Sequence, residues 1–257
     1  MIGDYNLAAL RPGDLFFGPI GGSAGAIVGL GQVLVAPWKH QLTWRRWWKV
    51  RHCGVITQAA SEGYESRSYR TPSGNPCRWT RGIAPRLAQA EPGGMEEIEV
   101  DPDRHWTSEY VYLRPAYPGG ESQAWEVAAM SQLMVNAHVP YAFEDYAAIL
   151  AHRLHLPIPH LDRFIAATRA SGLPKRAMCS QAVDAVLSLS GGLDGHGNVF
   201  NDGRLPQDVV PSELYLRLLD LGPELVIVPG KMVVKAGPGG SIHNGAQARL
   251  PHFRDLL

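Results

Sequence analysis

Three cysteines and ten histidines carry the nucleophilic and basic options of this 257-residue chain. Cys179 stands at the start of residues 180–190. There Ala182, Val183, Val186, Leu187 and Leu189 fit one apolar helical face, and Gly191-Gly192 stops the helix. The free N–H groups and the dipole at such a start favour an anion, so a thiol there ionises more readily. The same N–H groups could hold the oxyanion of a tetrahedral intermediate. Cys53 adjoins His52 in a strand-like run, where neighbours point to opposite faces, so it reads as core. Cys77 lies among prolines and glycines, with no helix start to activate it.

A thiolate chemistry needs a base, and imidazole has a suitable pKa. His52 fronts the run His-Cys-Gly-Val-Ile-Thr, polar at the rim and apolar beyond, and Gly54 would let another chain approach closely. A third polar group should orient the base. Glu65, on the next strand if the chain turns back at Ser61-Glu62-Gly63, is the first candidate, with Glu62 and Gln58 as alternatives. His152, His155 and His160 cluster near a Pro-rich turn, but their spacing matches no zinc site. Neither metal nor cofactor is expected.

The elements that must position these groups read as follows. Strands are expected at 14–17, 50–57, 64–69, 96–100, 110–113, 225–228 and 232–235, and helices at 24–35, 121–137, 143–154, 162–170 and 180–190. Residues 77–94 read as irregular. Helices and strands come in separate runs, which predicts an α+β fold. One domain over 1–237 is expected, followed by a loose, Gly-rich tail over 238–257.

Hydrophobic residues at 45% and charged residues at 19% exclude wholesale disorder. Twenty-four basic against 24 acidic residues argue against a nucleic-acid binder, and three irregularly spaced cysteines make no disulfide framework. Residues 18–37 are uncharged but include six glycines, which suits a buried helix better than a membrane span. No secretory signal is legible at the start, so synthesis in the cytoplasm is expected. Residues 38–51 hold Trp38, Trp44, Trp47 and Trp48 with five bases and no acid. They lead straight into His52. Such a segment suits a cleft wall, with Trp47 and Trp48 binding substrate, or a membrane-surface contact.

Several of these pieces, in order, resemble the circularly permuted NlpC-type family of papain-like cysteine amidases. Leu10-Arg11-Pro12-Gly13-Asp14-Leu15-Phe16-Phe17 is similar to the family's opening strand, and Arg51-His52-Cys53-Gly54-Val55-Ile56 to its histidine strand. Tyr64-Glu65-Ser66 sits where the family carries a polar residue, and Tyr112-Leu113-Arg114-Pro115 resembles the strand before its long helix. Val139-Pro140-Tyr141-Ala142-Phe143 is similar to its Pro-Tyr segment, although Val139 and Ala142 replace Gly and Asp. Met178-Cys179-Ser180-Gln181-Ala182-Val183 resembles its nucleophile turn, and Val210-Pro211-Ser212-Glu213-Leu214 a later one.

The resemblance implies a papain-like fold: a central antiparallel sheet or barrel packed against helices that include the nucleophile helix. It implies a thiol hydrolase with Cys179 as nucleophile, His52 as base and Glu65 as third member, with Tyr141 aiding the oxyanion. The substrate it implies is an amide in a peptide, such as a peptidoglycan stem peptide. The alternatives are a lipid-directed acyltransferase or lipase of the same fold, or a non-catalytic binding module. A wall-directed role without a signal would fit a phage or prophage protein released by lysis or carried on a virion.

Overall fold

A computed structural model describes residues 7–20, 22–35, 50–70, 76–101, 110–142, 145, 148, 151, 174–195, 209–221, 225–227 and 234–235. After a short 3-10 turn at Leu7–Ala9, strand β1 (Leu15–Gly18) leads to helix α1 (Gly22–Val35). Strands β2 (His52–Gln58), β3 (Glu65–Arg70), β4 (Pro76–Arg81), β5 (Arg86–Glu91), β6 (Gly94–Glu99) and β7 (Val111–Arg114) follow. Then come α2 (Gly120–Asn136), α3 (Cys179–Leu189), α4 (Pro211–Asp220), β8 (Leu225–Ile227) and β9 (Val234–Lys235). The α+β class is as expected. Among the described residues, no helix is long and apolar enough to cross a membrane.

Seven strands form one antiparallel sheet in the order β6-β5-β2-β1-β7-β8-β9. It is an open sheet rather than a barrel. One face carries Leu15, Phe17, Cys53, Val55, Ala88 and Leu113, and α2 and α3 cover it with Val127, Met134, Val183 and Leu187. The other face carries Phe16, Ile56, Leu87 and Tyr112, covered by Leu7 and Leu10. Period-two alternation in β1 therefore places Phe16 and Phe17, both fully buried, in two different cores. Each such ring contributes roughly 1.5–3 kcal/mol by leaving water.

The sequence expectation failed between residues 61 and 94. Strand β3 does not turn back onto β2; it pairs with β4 in a separate two-stranded sheet, with Glu65 opposite Arg81. The neighbour of β2 is β5, from a stretch expected to be irregular. β5 returns into β6 across Pro92-Gly93, a tight turn whose dipeptide was the available cue. Residues 210–214, read as a turn by resemblance, instead cap and open helix α4: Pro211 sits in its first turn, where a missing N–H costs nothing. The Gln32 side chain of α1 accepts the next N–H of α4, from Ser212, at 2.9 Å.

Asp14 locks the start of this frame. Arg114 on β7 donates Nε to its Oδ1 and Nη2 to its Oδ2, each at 2.7 Å, and the Arg11 N–H adds a bond at 2.8 Å. Burial raises the carboxyl's pKa against the pull of Arg114. Gly13 just before it has φ +87°, and an added Cβ would lie 2.6 Å from the Ala124 carbonyl oxygen of α2. The Pro-Gly-Asp turn is thus a structural joint.

Candidate active site

Cys179 is the first residue of α3, after Met178 in extended conformation. The first helical bond runs from the Ala182 N–H to the Met178 carbonyl, so the amides of residues 179–181 precede the helical ladder. The Gln181 side chain accepts the Met178 N–H at 3.0 Å, and Ser180 Oγ donates to the Val209 carbonyl at 2.7 Å. Met178 itself is buried among Val28, Ala142 and Val210. Three separate segments therefore fix where the thiol sits.

His52 opens β2, opposite Gly18, and its ring meets the edge of Phe16 at 5.8 Å between centroids. Its Nε2 lies 2.8 Å from Gln89 Oε1 on the neighbouring strand. The Gln89 Nε2 donates in turn to Glu96 Oε1 on β6 at 2.9 Å. A carboxylate can only accept, so Glu96 fixes which end of the amide faces the ring. Gln89 must present its oxygen, and His52 must carry a proton on Nε2. Nδ1 is buried with no hydrogen-bond partner among the described residues, and is the nitrogen left to exchange a proton with a thiol. Glu91 Oε1, 3.5 Å from Nε2, adds negative charge on the same side.

Gly54 makes the strand contact possible. It pairs with Gln89, and a Cβ at residue 54 would stand 2.5 Å from the Ala88 carbonyl oxygen. The close approach expected at Gly54 is real, and it is β5 that approaches.

The thiol and the imidazole shift each other. The Cys179 pKa falls well below that of an ordinary thiol, first through a hydrogen bond from the Cys53 side chain. A hydrogen bond and the charge from His52, and the Cys53 backbone N–H, add to this and together outweigh burial. For His52, burial lowers the pKa, but the Cys179 interaction, Glu91 and Gln89 outweigh it and raise the value. Nδ1 makes no bond within standard hydrogen-bond limits, so the approach of His52 to Cys179 is a looser one, as resting sites often show. Cys53 is fully buried, and burial pushes its own thiol well up.

Tyr141 is brought to this site. It bridges to Ala177, two residues before the nucleophile, and the flanking bonds Ala177 N–H to Pro140 and Ala142 N–H to Ala177 hold it there. Its pKa is raised by burial, then by the charges of Cys179, Cys53 and Glu91. Glu65 is not the residue on the far nitrogen of His52: that place belongs to Gln89, because β5 rather than β3 lies beside β2. Trp47 and Trp48, the rest of the Trp-rich wall, His152, His155 and His160, and the 238–257 tail lie outside the described residues.

The resting site is closed. Cys179 is 2% and His52 3% exposed, and the cavity beside Cys53 and Cys179 is only about 10 Å³. That is room for one water at most. A larger cavity of about 80 Å³ is lined by Leu113, Pro115, Ala116, Leu193, Leu218 and Leu221 and offers no nucleophile or base. Among the described residues, no cluster of three or more His, Cys, Asp or Glu is arranged to hold a metal ion. No family model, curated protein or solved structure matches the chain.

Proposed function

We propose that this chain is a papain-like thiol hydrolase that cleaves an amide bond, in a peptide such as a peptidoglycan stem peptide. The observation that carries the reading is the fixed tautomer. Glu96 orients Gln89, Gln89 occupies Nε2 of His52, and Nδ1 is left for Cys179 at the start of α3. In the reaction Nδ1 holds the thiol proton while the thiolate attacks the amide carbon. The carbonyl electron pair moves onto oxygen, held by the first amides of α3 and the Tyr141 hydroxyl. Collapse of the intermediate breaks the C–N bond, and the amine leaves with the proton from Nδ1. Water then attacks the thioester, giving its proton to Nδ1, and the acid departs as the thiol reforms.

The test is incubation with isolated peptidoglycan stem peptides, scored by mass spectrometry for new amine and carboxyl ends, alongside acyl esters in phospholipid vesicles. Wild-type protein should cleave the peptide, and Cys179→Ala and His52→Ala should not. Cleavage of the esters alone would replace the amidase reading with the lipid-directed one. Cleavage of neither, with Cys179 no more reactive than Cys53 towards iodoacetamide, would overturn it in favour of a non-catalytic module.

A further inference from the structure

Cys53 forms no bond and moves no proton in the amide chemistry above, yet it lies on the same cavity as Cys179. Both residues line the same cavity of about 10 Å³, with Gly54, Ala88, Ala90 and Ala182 on its small-residue side and Met95, Val183 and Val186 also on its wall. Filling that space would need only a Val or an Ala, and neither would place a second sulfur against the first. Both cysteines are free thiols, one on a central strand and one at the first turn of the helix packed against it.

We propose that Cys53 is a resolving thiol, and that a peroxide closes Cys53 and Cys179 into a disulfide that takes the nucleophile reversibly out of use. The steps balance without further reactants. The Cys179 thiolate attacks the peroxide, its O–O bond breaks, and the departing oxygen leaves as water or alcohol once protonated. Cys179 is then a sulfenic acid. The Cys53 sulfur attacks the Cys179 sulfur, the S–O bond breaks, and hydroxide leaves with the Cys53 proton as water. The two electrons come from the thiol pair, and the peroxide is reduced. Two cysteines on one small cavity must bring their sulfurs to about 2.05 Å. A lone sulfenic acid would instead be open to irreversible oxidation.

The inference rests on Cys179 being an activated thiolate, but its readout is independent of turnover. The experiment uses full-length protein carrying Cys77→Ser, so that only this pair can respond, with and without Cys53→Ser. Serine keeps a hydrogen-bond donor of similar size. Each is treated with hydrogen peroxide in native buffer, then with dithiothreitol, and followed by intact mass, peptide mapping and Cys179 alkylation. With Cys53 present, the protein should lose two hydrogens and yield a linked peptide joining residues 53 and 179. It should also lose alkylation and regain it with dithiothreitol. The Cys53→Ser protein should instead gain oxygen on Cys179 and recover little. Absence of the linked peptide, with Cys179 over-oxidised at the same rate in both, overturns the proposal. A linked peptide in a protein that cleaves no substrate would retain the thiol pair and reject the hydrolase reading. Cleavage without a linked peptide would do the reverse.

Discussion

Replacing Gln89 with Leu isolates the positioning of His52 from the reacting atoms. The substitution keeps roughly the volume of the side chain and removes both polar ends: the oxygen 2.8 Å from Nε2 and the amide that reaches Glu96. A buried donor that loses its acceptor costs about 1–3 kcal/mol, and more when charged. His52 carries positive charge in the working form, which argues for the upper part of that range. Against this, Glu91 already stands 3.5 Å from Nε2 and can close on the vacated position. The net expectation is about 1–2 kcal/mol in the transition state, a loss of roughly 5- to 30-fold in kcat/KM. Because the ring is also freed to present its other tautomer, Cys179 should lose the part of its pKa depression that His52 supplies. The rate of iodoacetamide alkylation against pH should then shift towards that of an ordinary thiol. Gln89→Glu provides the contrast. It keeps the acceptor but sets two carboxylates together at Glu96, and should raise the pKa of His52 further. A Gln89→Leu protein whose alkylation profile and turnover both match wild type would show that the Gln89–Glu96 relay does not position the base.

Three further outcomes follow from the same geometry. Because Cys179 is shifted down and His52 up, the thiolate–imidazolium pair should fill a window between them. Turnover should fall on the acid side as the thiolate is protonated and on the alkaline side as His52 loses its proton, at a pH above the ordinary imidazole value; a single-limbed profile would contradict the pair. Gly54→Ala puts a methyl 2.5 Å from the Ala88 carbonyl and should cost about 1–3 kcal/mol in a urea titration, with Cys179 reactivity falling as β5 is pushed away. Asp14→Ala leaves the Arg114 guanidinium without its carboxylate and should cost about 3–5 kcal/mol, read as a large drop in Tm while the thiol keeps its reactivity in the folded protein.

The pairing of Cys179 with His52 was legible because each is announced locally. Cys179 precedes an apolar helical stripe, and His52 begins a run in which Gly54 precedes the β-branched Val55, Ile56 and Thr57. Tyr141 was legible only through resemblance, since nothing in Val139-Pro140-Tyr141 itself points at Cys179. The third member was not legible, because it depends on which strand lies beside β2, and pairing is a non-local property. Glu65 is nearer to His52 in sequence than Gln89, but residues 65–70 leave the main sheet and pair with residues 76–81. Gln89 lies in Arg-Leu-Ala-Gln-Ala-Glu, whose alanines weaken the strand signal. The shared cavity of Cys53 and Cys179 was equally hidden: alternation sends Cys53 into the core, but only the packing of α3 reveals what it meets there.

The base of the β3–β4 excursion is pinned shut. The Ser61 N–H donates to the Ile83 carbonyl at 2.9 Å, and the Ile83 N–H donates to Ser61 Oγ at 2.8 Å. These two bonds bring the chain back to within one strand spacing of where it left, so β3 and β4 lie beyond a closed neck, while Tyr64 at its base packs against the core of Phe16, Ile56 and Tyr112. Its length is then nearly free to vary, since each doubling of a loop costs only about 0.6 kcal/mol in closure entropy. The register of β2 on β5, and with it the His52–Gln89 contact, is indifferent to what the neck carries. Position 62–82 is therefore the natural place to graft a peptide, a reporter or a binding loop into this protein while leaving the thiol and its base undisturbed.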